Sequence, residues 1–474
     1  MKKPNILFIL IDDLGWRDLA CYGSTFYETP TLDRLAGEGM QFTDAYAACP
    51  VCSPTRASLL TGKYPATVGI TDYIDWSGQW HPQRGRVIEA PYLKGLPPSE
   101  VTVAQALREG GYRTWHVGKW HLGGPGCYPT DRGFDVNVGG CEWGYPAQGY
   151  FSPWGIPGLP EAAAGTYLTD HLTDAAIQLI RETDERPFFL HLSHYAVHTP
   201  IQAPPALVAK YTAKAKRLGL DQVNPLCDGE HFHTERMRDA IVKHRLFQSD
   251  PTYAAMMENL DANIGRVLAA LDDTGQAENT LVIFTSDNGG LATGGFWEDE
   301  RAPTCNLPLQ AGKGWMYDGG TREPYIVRWP GRVKPGAVCR TPITSPDLYP
   351  TLLEAAGLPL RPAQHTDAVS FTPALLGDTA FDRGPIFWHY PHYGNQGGRP
   401  GSSVRHGRWK LIEFLEENRI ELYDLENDLS ESVDVSAAHP KSVCDLHGTL
   451  VAWRKKVGAR MPEPNPDWTP LHEE

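Results

Sequence analysis

The chain has 474 residues, 41% of them hydrophobic and 21% charged, and a formal net charge of -14. That length suits one large domain plus a smaller one with a sizeable core; the acidic balance argues against a nucleic-acid binder, which shows a basic face, and no apolar run is long enough to span a membrane. A site for an anion must therefore be locally basic, since the chain as a whole repels anions at long range.

The first apolar run, Asn5 to Ile11, ends in Asp12-Asp13 with no small-residue cleavage site, so it reads as a buried strand rather than a signal-peptide core. Pro50 to Gly62 reads as a loop entering a helix, with Pro54 suited to the first helical position. Cys52 then lies by the helix N-terminus with Arg56 one turn on; both lower a thiol pKa and favour an anion. Alone, this marks a reactive cysteine or an anion site, with a buried structural cysteine as the rival reading. The nine cysteines are otherwise scattered, without the paired spacing of a zinc site.

Tyr112 to Val117 is a weaker strand leading to Gly118-Lys119-Trp120-His121. A helical pattern, Leu168 to Arg181, precedes the strand Pro187 to Leu192, which leads to His194 and His198. Another, Tyr253 to Asp272, precedes Leu281 to Thr285, which ends in Asp287-Asn288. Continuous apolar strands between amphipathic helices predict an α/β fold with a sheet covered on both faces. Asp347 to Ala356 reads as a helix. Beyond about residue 365, Trp409 to Phe414 and Ile420 to Leu425 read as hairpin arms, and Ser442 to Val457 as an amphipathic helix. The expected division is a catalytic unit at 1–365 and a smaller C-terminal α+β unit at 366–474.

Sites in α/β sheets form beyond the carboxyl ends of the strands, and four predicted strands end in acids, amides, lysine or histidines. Asp12, Asp13, Asp287 and Asn288 offer three carboxylates and an amide oxygen, hard donors suited to Ca²⁺ or Mg²⁺ rather than zinc. A single such pair reads equally well as a helix cap or turn; two pairs after two strands favour a cation.

Cys52-Ser-Pro-Thr-Arg56, continuing through Leu59-Leu-Thr-Gly62, resembles the Cys-x-Pro-x-Arg signature of the sulfatase family, within the alkaline phosphatase superfamily. Gly111 to His121 is similar to the second family signature. Ile11 to Gly15, Thr285 to Gly289, Gly312-Lys-Gly314 and Gly319 to Pro324, running on to Trp329-Pro-Gly331, match further blocks, and His198-Thr-Pro200 a weaker one. The blocks fall in family order and cover most of residues 5 to 331. The resemblance implies a large, mixed, mostly parallel sheet sandwiched by helices. It implies that Asp12, Asp13, Asp287 and Asn288 bind one divalent cation, usually Ca²⁺, and that a formylglycine-generating maturation enzyme converts Cys52 to formylglycine. The hydrated aldehyde attacks sulfur, and its second hydroxyl expels sulfate, which a serine could not do. Arg56 would hold the diol, Lys119 and Lys313 would grip the sulfate oxygens, His198 would act as general acid, and His121 would contact the diol or sulfate. One position departs from the pattern: no serine follows Gly133-Phe-Asp135 where some members place a sulfate contact, and Cys141 or Glu142 stands near it.

The C-terminal stretches resemble sulfatases that act on polysaccharides, so a carbohydrate sulfate is the expected substrate, with His389, His392 and Arg399 as candidates for its recognition. The rivals are a phosphonate monoester or phosphodiester hydrolase of the same superfamily, an inactive protein binding sulfated glycan, and a hydrolase using an unmodified Cys52 thiolate.

Overall fold

A computed structural model describes residues 3–78, 80–182, 184–294 and 302–469. The central sheet runs in the order Ala337–Cys339, Met40–Tyr46, Arg322–Arg328, Thr280–Ser286, Asn5–Ile11, Phe188–Ser193, Arg113–Gly118, Val136–Val138, with Ile343–Thr344 also pairing Met40–Tyr46. Asn5–Ile11 lies parallel to both neighbours. Arg322–Arg328 is antiparallel to the strands on either side of it, so the sheet is mixed and mostly parallel, as expected.

Successive side chains of a strand point to opposite faces. Leu7, Ile9 and Ile11 enter one core, and Ile6, Phe8 and Leu10 the other. That is why the run is continuously apolar: both faces are covered. Helices Leu168–Arg181 and Pro251–Asp273 pack on the first face, Val103–Glu109 and Leu348–Ala355 on the second. Pro251–Asp273 begins two residues before its expected start because the Asp250 carboxylate accepts the N–H groups of Thr252 and Tyr253, a cap typically worth about 1 kcal/mol.

Other helix starts also precede those expected, and several elements carry no clear sequence pattern. The helix after the loop at 50 is Cys52–Thr61, so Cys52 and not Pro54 is its first residue. Met40–Tyr46 and Arg322–Arg328 carry Thr, Asp, Arg and Glu among their apolar residues and do not look like buried strands, yet they lie in the sheet. Helices Pro30–Glu38 and Pro205–Arg217 and a small sheet of Leu226–His231, Ile241–Arg245 and Thr293–Gly294 were also unread.

The C-terminal part is a separate antiparallel sheet of Ile386–Tyr390, Gly401–His406, Trp409–Phe414 and Arg419–Asp424. The predicted hairpin is its last two strands. Helix Pro440–Val457 packs on it through Leu446, Leu450 and Trp453, whose indole stacks on Phe387. No helix among the described residues is long and apolar enough to cross a membrane.

Candidate active site

The parallel strands deliver their following residues to one edge of the sheet. Asp12-Asp13 follow Asn5–Ile11, Lys119 and His121 follow Arg113–Gly118, His198 follows Phe188–Ser193, and Asp287-Asn288 follow Thr280–Ser286. Lys313 precedes the reversed strand Arg322–Arg328, which brings it to the same edge.

Cys52 opens its helix, buried, with Sγ 3.3 Å from His121 Nδ1. The Arg56 Nε–H donates to Asp287 Oδ2 at 2.8 Å, while Nη1 donates to Ser193 Oγ at 2.7 Å and to the Lys119 carbonyl at 3.1 Å. Lys119 Nζ donates to Asp12 Oδ2 at 2.6 Å. Lys313 Nζ donates to Asp13 Oδ2 at 2.8 Å and to His198 Nε2 at 2.9 Å. With Nε2 accepting, the remaining His198 proton sits on Nδ1 and points at the Thr199 carbonyl, 3.0 Å away. His121 Nε2 lies 2.9 Å from the Ile74 carbonyl, which orients the ring toward Cys52. Asp13 and His121 are two of the five non-glycine residues with positive φ among the described residues, at 61° and 59°. Such conformations cost roughly 1–3 kcal/mol each and persist where the surroundings enforce them.

The electrostatics are uneven. Burial raises the Asp12 carboxyl against the pull of Lys119. Burial would raise Asp13 too, but the Lys313 ammonium beside it outweighs this and holds it well below the carboxylate range. His198 is pushed down to about 3, by burial first and Lys313 second. The thiol of Cys52 is raised, because burial outweighs Lys119 and Lys313. This corrects the expectation that the helix N-terminus and Arg56 would lower it, and it removes the support for a thiolate hydrolase.

The donor set suits a hard divalent cation. Asp12 Oδ1 and Asn288 Oδ1 are buried without a hydrogen-bond partner, and Asp12, Asp13 and Asp287 are three acids against the three cations Lys119, Lys313 and Arg56. A bound dication would leave the pocket floor net positive, which resolves the conflict with the chain's overall charge.

The three residues proposed for substrate recognition are turned to partners elsewhere in the fold. His389 is buried, with Nδ1 at Ser402 Oγ and Nε2 at the Arg460 carbonyl, so both nitrogens are engaged. Arg399 is paired with Glu230, Glu416 and Glu417. His392 is fully buried against Thr71, Asp72 and Glu89. Near the missing serine, Cys141 Sγ faces the Tyr195 hydroxyl and Glu142 accepts from the Tyr128 hydroxyl. Sequence reasoning missed the aromatic rim instead. Tyr145, 40% exposed, stacks on His198. Trp76, 46% exposed, stacks on Trp143 and lies two residues from Ile74. Gly144 passes so close to His121 that a Cβ there would sit 2.5 Å from the ring. Exposed aromatics near a polar site were the available signal.

An acid cluster fit for a cation, set with paired lysines around one residue at a helix N-terminus, marks an anion-handling α/β enzyme. Known proteins narrow this. The sulfatase family profile matches residues 4–358, and the profile described as "N-sulphoglucosamine sulphohydrolase, C-terminal" matches residues 311–456. The chain is 31% identical to a sulfatase of Formosa agariphila, covering 97% of this chain and 90% of that one. It is 34% identical to human arylsulfatase A over 88% of this chain and 76% of that one. The solved structure of Ps i-CgsB in complex with k-i-k-neocarrahexaose is similar at a TM-score of 0.74 and 28% identity, covering 98% of this chain and 94% of that one. The chain belongs to the sulfatase family of the alkaline phosphatase superfamily, and its activity is sulfuric ester hydrolysis.

Proposed function

We propose that the chain removes a sulfate ester from a carbohydrate, using Cys52 converted to formylglycine and a cation, Ca²⁺, held by Asp12, Asp13, Asp287 and Asn288. The observation that carries this reading is the convergence of those four ligands with Arg56, Lys119 and Lys313 around Cys52. When present, the cation and the formylglycine supply positive charge at the ester oxygens and a nucleophile at neutral pH.

The chain's own residues do the rest. Arg56, buried and fastened to Asp287 and Ser193, presents a fixed positive charge behind Cys52. Lys119 and Lys313 are preorganised donors for the sulfate oxygens, where charge develops as the S–O bond breaks. His198 Nε2 already receives a Lys313 N–H, so this pair holds a proton beside the departing alcohol and delivers it. His121 orients the nucleophile through its Nδ1. For the sugar, the exposed faces of Trp76 and Tyr145 are better placed than His389, His392 or Arg399, and aromatic faces suit stacking on a ring. The likeness to the carbohydrate-bound Ps i-CgsB and to an N-sulphoglucosamine sulphohydrolase profile supports the carbohydrate. We also infer that the catalytic unit runs past residue 365, since Phe371, Ala374 and Leu375 pack into the core of the large sheet.

The test is sulfate release from a panel of sulfated saccharides by protein co-produced with a formylglycine-generating enzyme, with a phosphodiester alongside. Release from a saccharide is the expected result. Faster phosphodiester turnover by protein shown by peptide mass to carry the aldehyde would overturn the proposal.

A further inference from the structure

A second group of ligand-type side chains lies apart from the Asp12, Asp13 and His198 cluster. Asp72, Glu89 and His392 are 0%, 5% and 0% exposed. Asp72 Oδ2, Glu89 Oε2 and His392 Nδ1 all lie within 4.8 Å of one another. His392 Nδ1 is 3.4 Å from Glu89 Oε2 and 3.7 Å from Asp72 Oδ2. None of the three atoms has a hydrogen-bond partner.

The opposite atom of each side chain is fastened. Asp72 Oδ1 accepts the Tyr73 N–H at 2.8 Å. Glu89 Oε1 accepts the Gln83 N–H at 2.8 Å and faces His81 Nδ1 at 2.5 Å. His392 Nε2 lies 2.9 Å from the Thr71 hydroxyl, which can accept its proton and leave Nδ1 as a bare lone pair. The backbone and neighbouring side chains thus turn three lone-pair atoms toward one point, the arrangement of outer-sphere partners around metal ligands. His81 closes the group, with Nε2 buried, unpartnered and 3.7 Å from Asp72 Oδ2. Tyr92 packs edge-on against both His81 and His392, and Lys94 sits over its ring.

Burying such atoms without a hydrogen bond is unfavourable, and a shared ion would supply the partner they lack. The spacing selects the ion. A tetrahedral centre with bonds of about 2.1 Å places its ligands about 3.4 Å apart, close to the 3.4 and 3.7 Å found. Calcium takes six to eight oxygens at about 2.3–2.6 Å and is poorly served by imidazole. We propose that Asp72, Glu89 and His392, with His81 beside them, form a second cation site for a zinc-type divalent ion, separate from the catalytic one. It would staple two stretches together: Asp72 and Glu89 belong to the loops after the Cys52 helix, His392 to the C-terminal sheet's first connection. Two residues on, the Ile74 N–H donates to Ser53 Oγ and the Ile74 carbonyl holds His121, so the staple would steady the backbone that aims His121 at Cys52.

The test counts metal in the full chain, independently of activity. Protein grown with Zn²⁺ and freed of loose metal by gel filtration should hold about one zinc per chain. Asp287→Ala should keep it, and His392→Ala and Asp72→Asn should lose it while retaining the native circular dichroism. Thr71→Val, which leaves every ligand in place, should weaken retention. Wild-type protein loaded with Co²⁺ should show the visible bands of a four-coordinate site, absent in His392→Ala. Wild type with less than about a tenth of a zinc per chain would mean a cluster of histidines and carboxylates that pair only with each other. Zinc lost in Asp287→Ala but kept in His392→Ala would assign it to the catalytic site. Either outcome overturns the proposal.

Discussion

Two buried charge clusters, one around Asp318 and one around Asp12 and Asp13, are built differently. Both oxygens of Asp318 are matched: Oδ1 takes Lys410 Nζ at 2.7 Å, and Oδ2 takes Arg322 Nε at 2.8 Å and the Tyr46 hydroxyl at 3.0 Å. The Asp318 N–H donates to Glu431, and Arg405 joins through Tyr46 and Asp44. This cluster ties the large sheet to the C-terminal one. Around Asp12 and Asp13, by contrast, Asp12 Oδ1 and Asn288 Oδ1 are unmatched, and Asp13 and His121 have positive φ. Buried charge is common to both regions. A residue of positive φ and an oxygen without a hydrogen bond also occur in both, but Glu431 Oε1 has Lys410 Nζ at 2.7 Å whereas Asp12 Oδ1 has Arg56 only at 3.8 Å; bonding capacity stays open at the reactive cluster because a site that must accept a substrate and a cation cannot have it all satisfied.

Mutations should separate the two regions by what they change. Cys52→Ala removes the nucleophile, so sulfate release should fall by about 10⁴–10⁶-fold with the melting temperature little altered; residual activity near wild type would break the assignment. Chelation of the purified enzyme should cost about 10³-fold, several kcal/mol of charge stabilisation, and Ca²⁺ should restore it. Lys119→Ala or Lys313→Ala should lower kcat/KM by about 10²–10³-fold, measured on the same saccharide. Lys410→Met belongs to the other region: by removing the buried cation shared by Asp318 and Glu431 it should cost about 3–5 kcal/mol of stability in urea unfolding, with kcat/KM per folded molecule unchanged. If it instead abolished activity at full stability, the contrast drawn between the clusters would fail. Smallest is the rim. Trp76→Ala or Tyr145→Ala should raise KM for an oligosaccharide up to about tenfold, from about 0.5–1.5 kcal/mol of lost ring contact, and leave a small aryl sulfate unaffected.

The candidate catalytic residues are legible because the proposed chemistry is local in the chain. Each strand carries its ligand in the next two residues, so Asp12-Asp13 and Asp287-Asn288 announce themselves, and Cys52 with Arg56 is a single helical turn. The continuous apolar runs of the parallel strands revealed the α/β layering for the same reason: double-sided burial is written into consecutive residues. His389 and His392 misled because aromatic and histidine content does not say which face of the chain a side chain occupies. Both are buried by contacts from Arg460, Thr71 and Glu89, remote in sequence.

The sequence by itself thus determined the family and the layered fold and pointed to the candidate reacting groups, since each rests on short-range order along the chain. Tertiary structure alone decided the rest. It reversed the strand that carries Lys313 to the edge, raised the Cys52 thiol by burying it, and set Asp72, Glu89 and His392 around one point although 303 residues separate the last two. Burial and convergence are properties of packing between distant segments, and no window of sequence contains both partners.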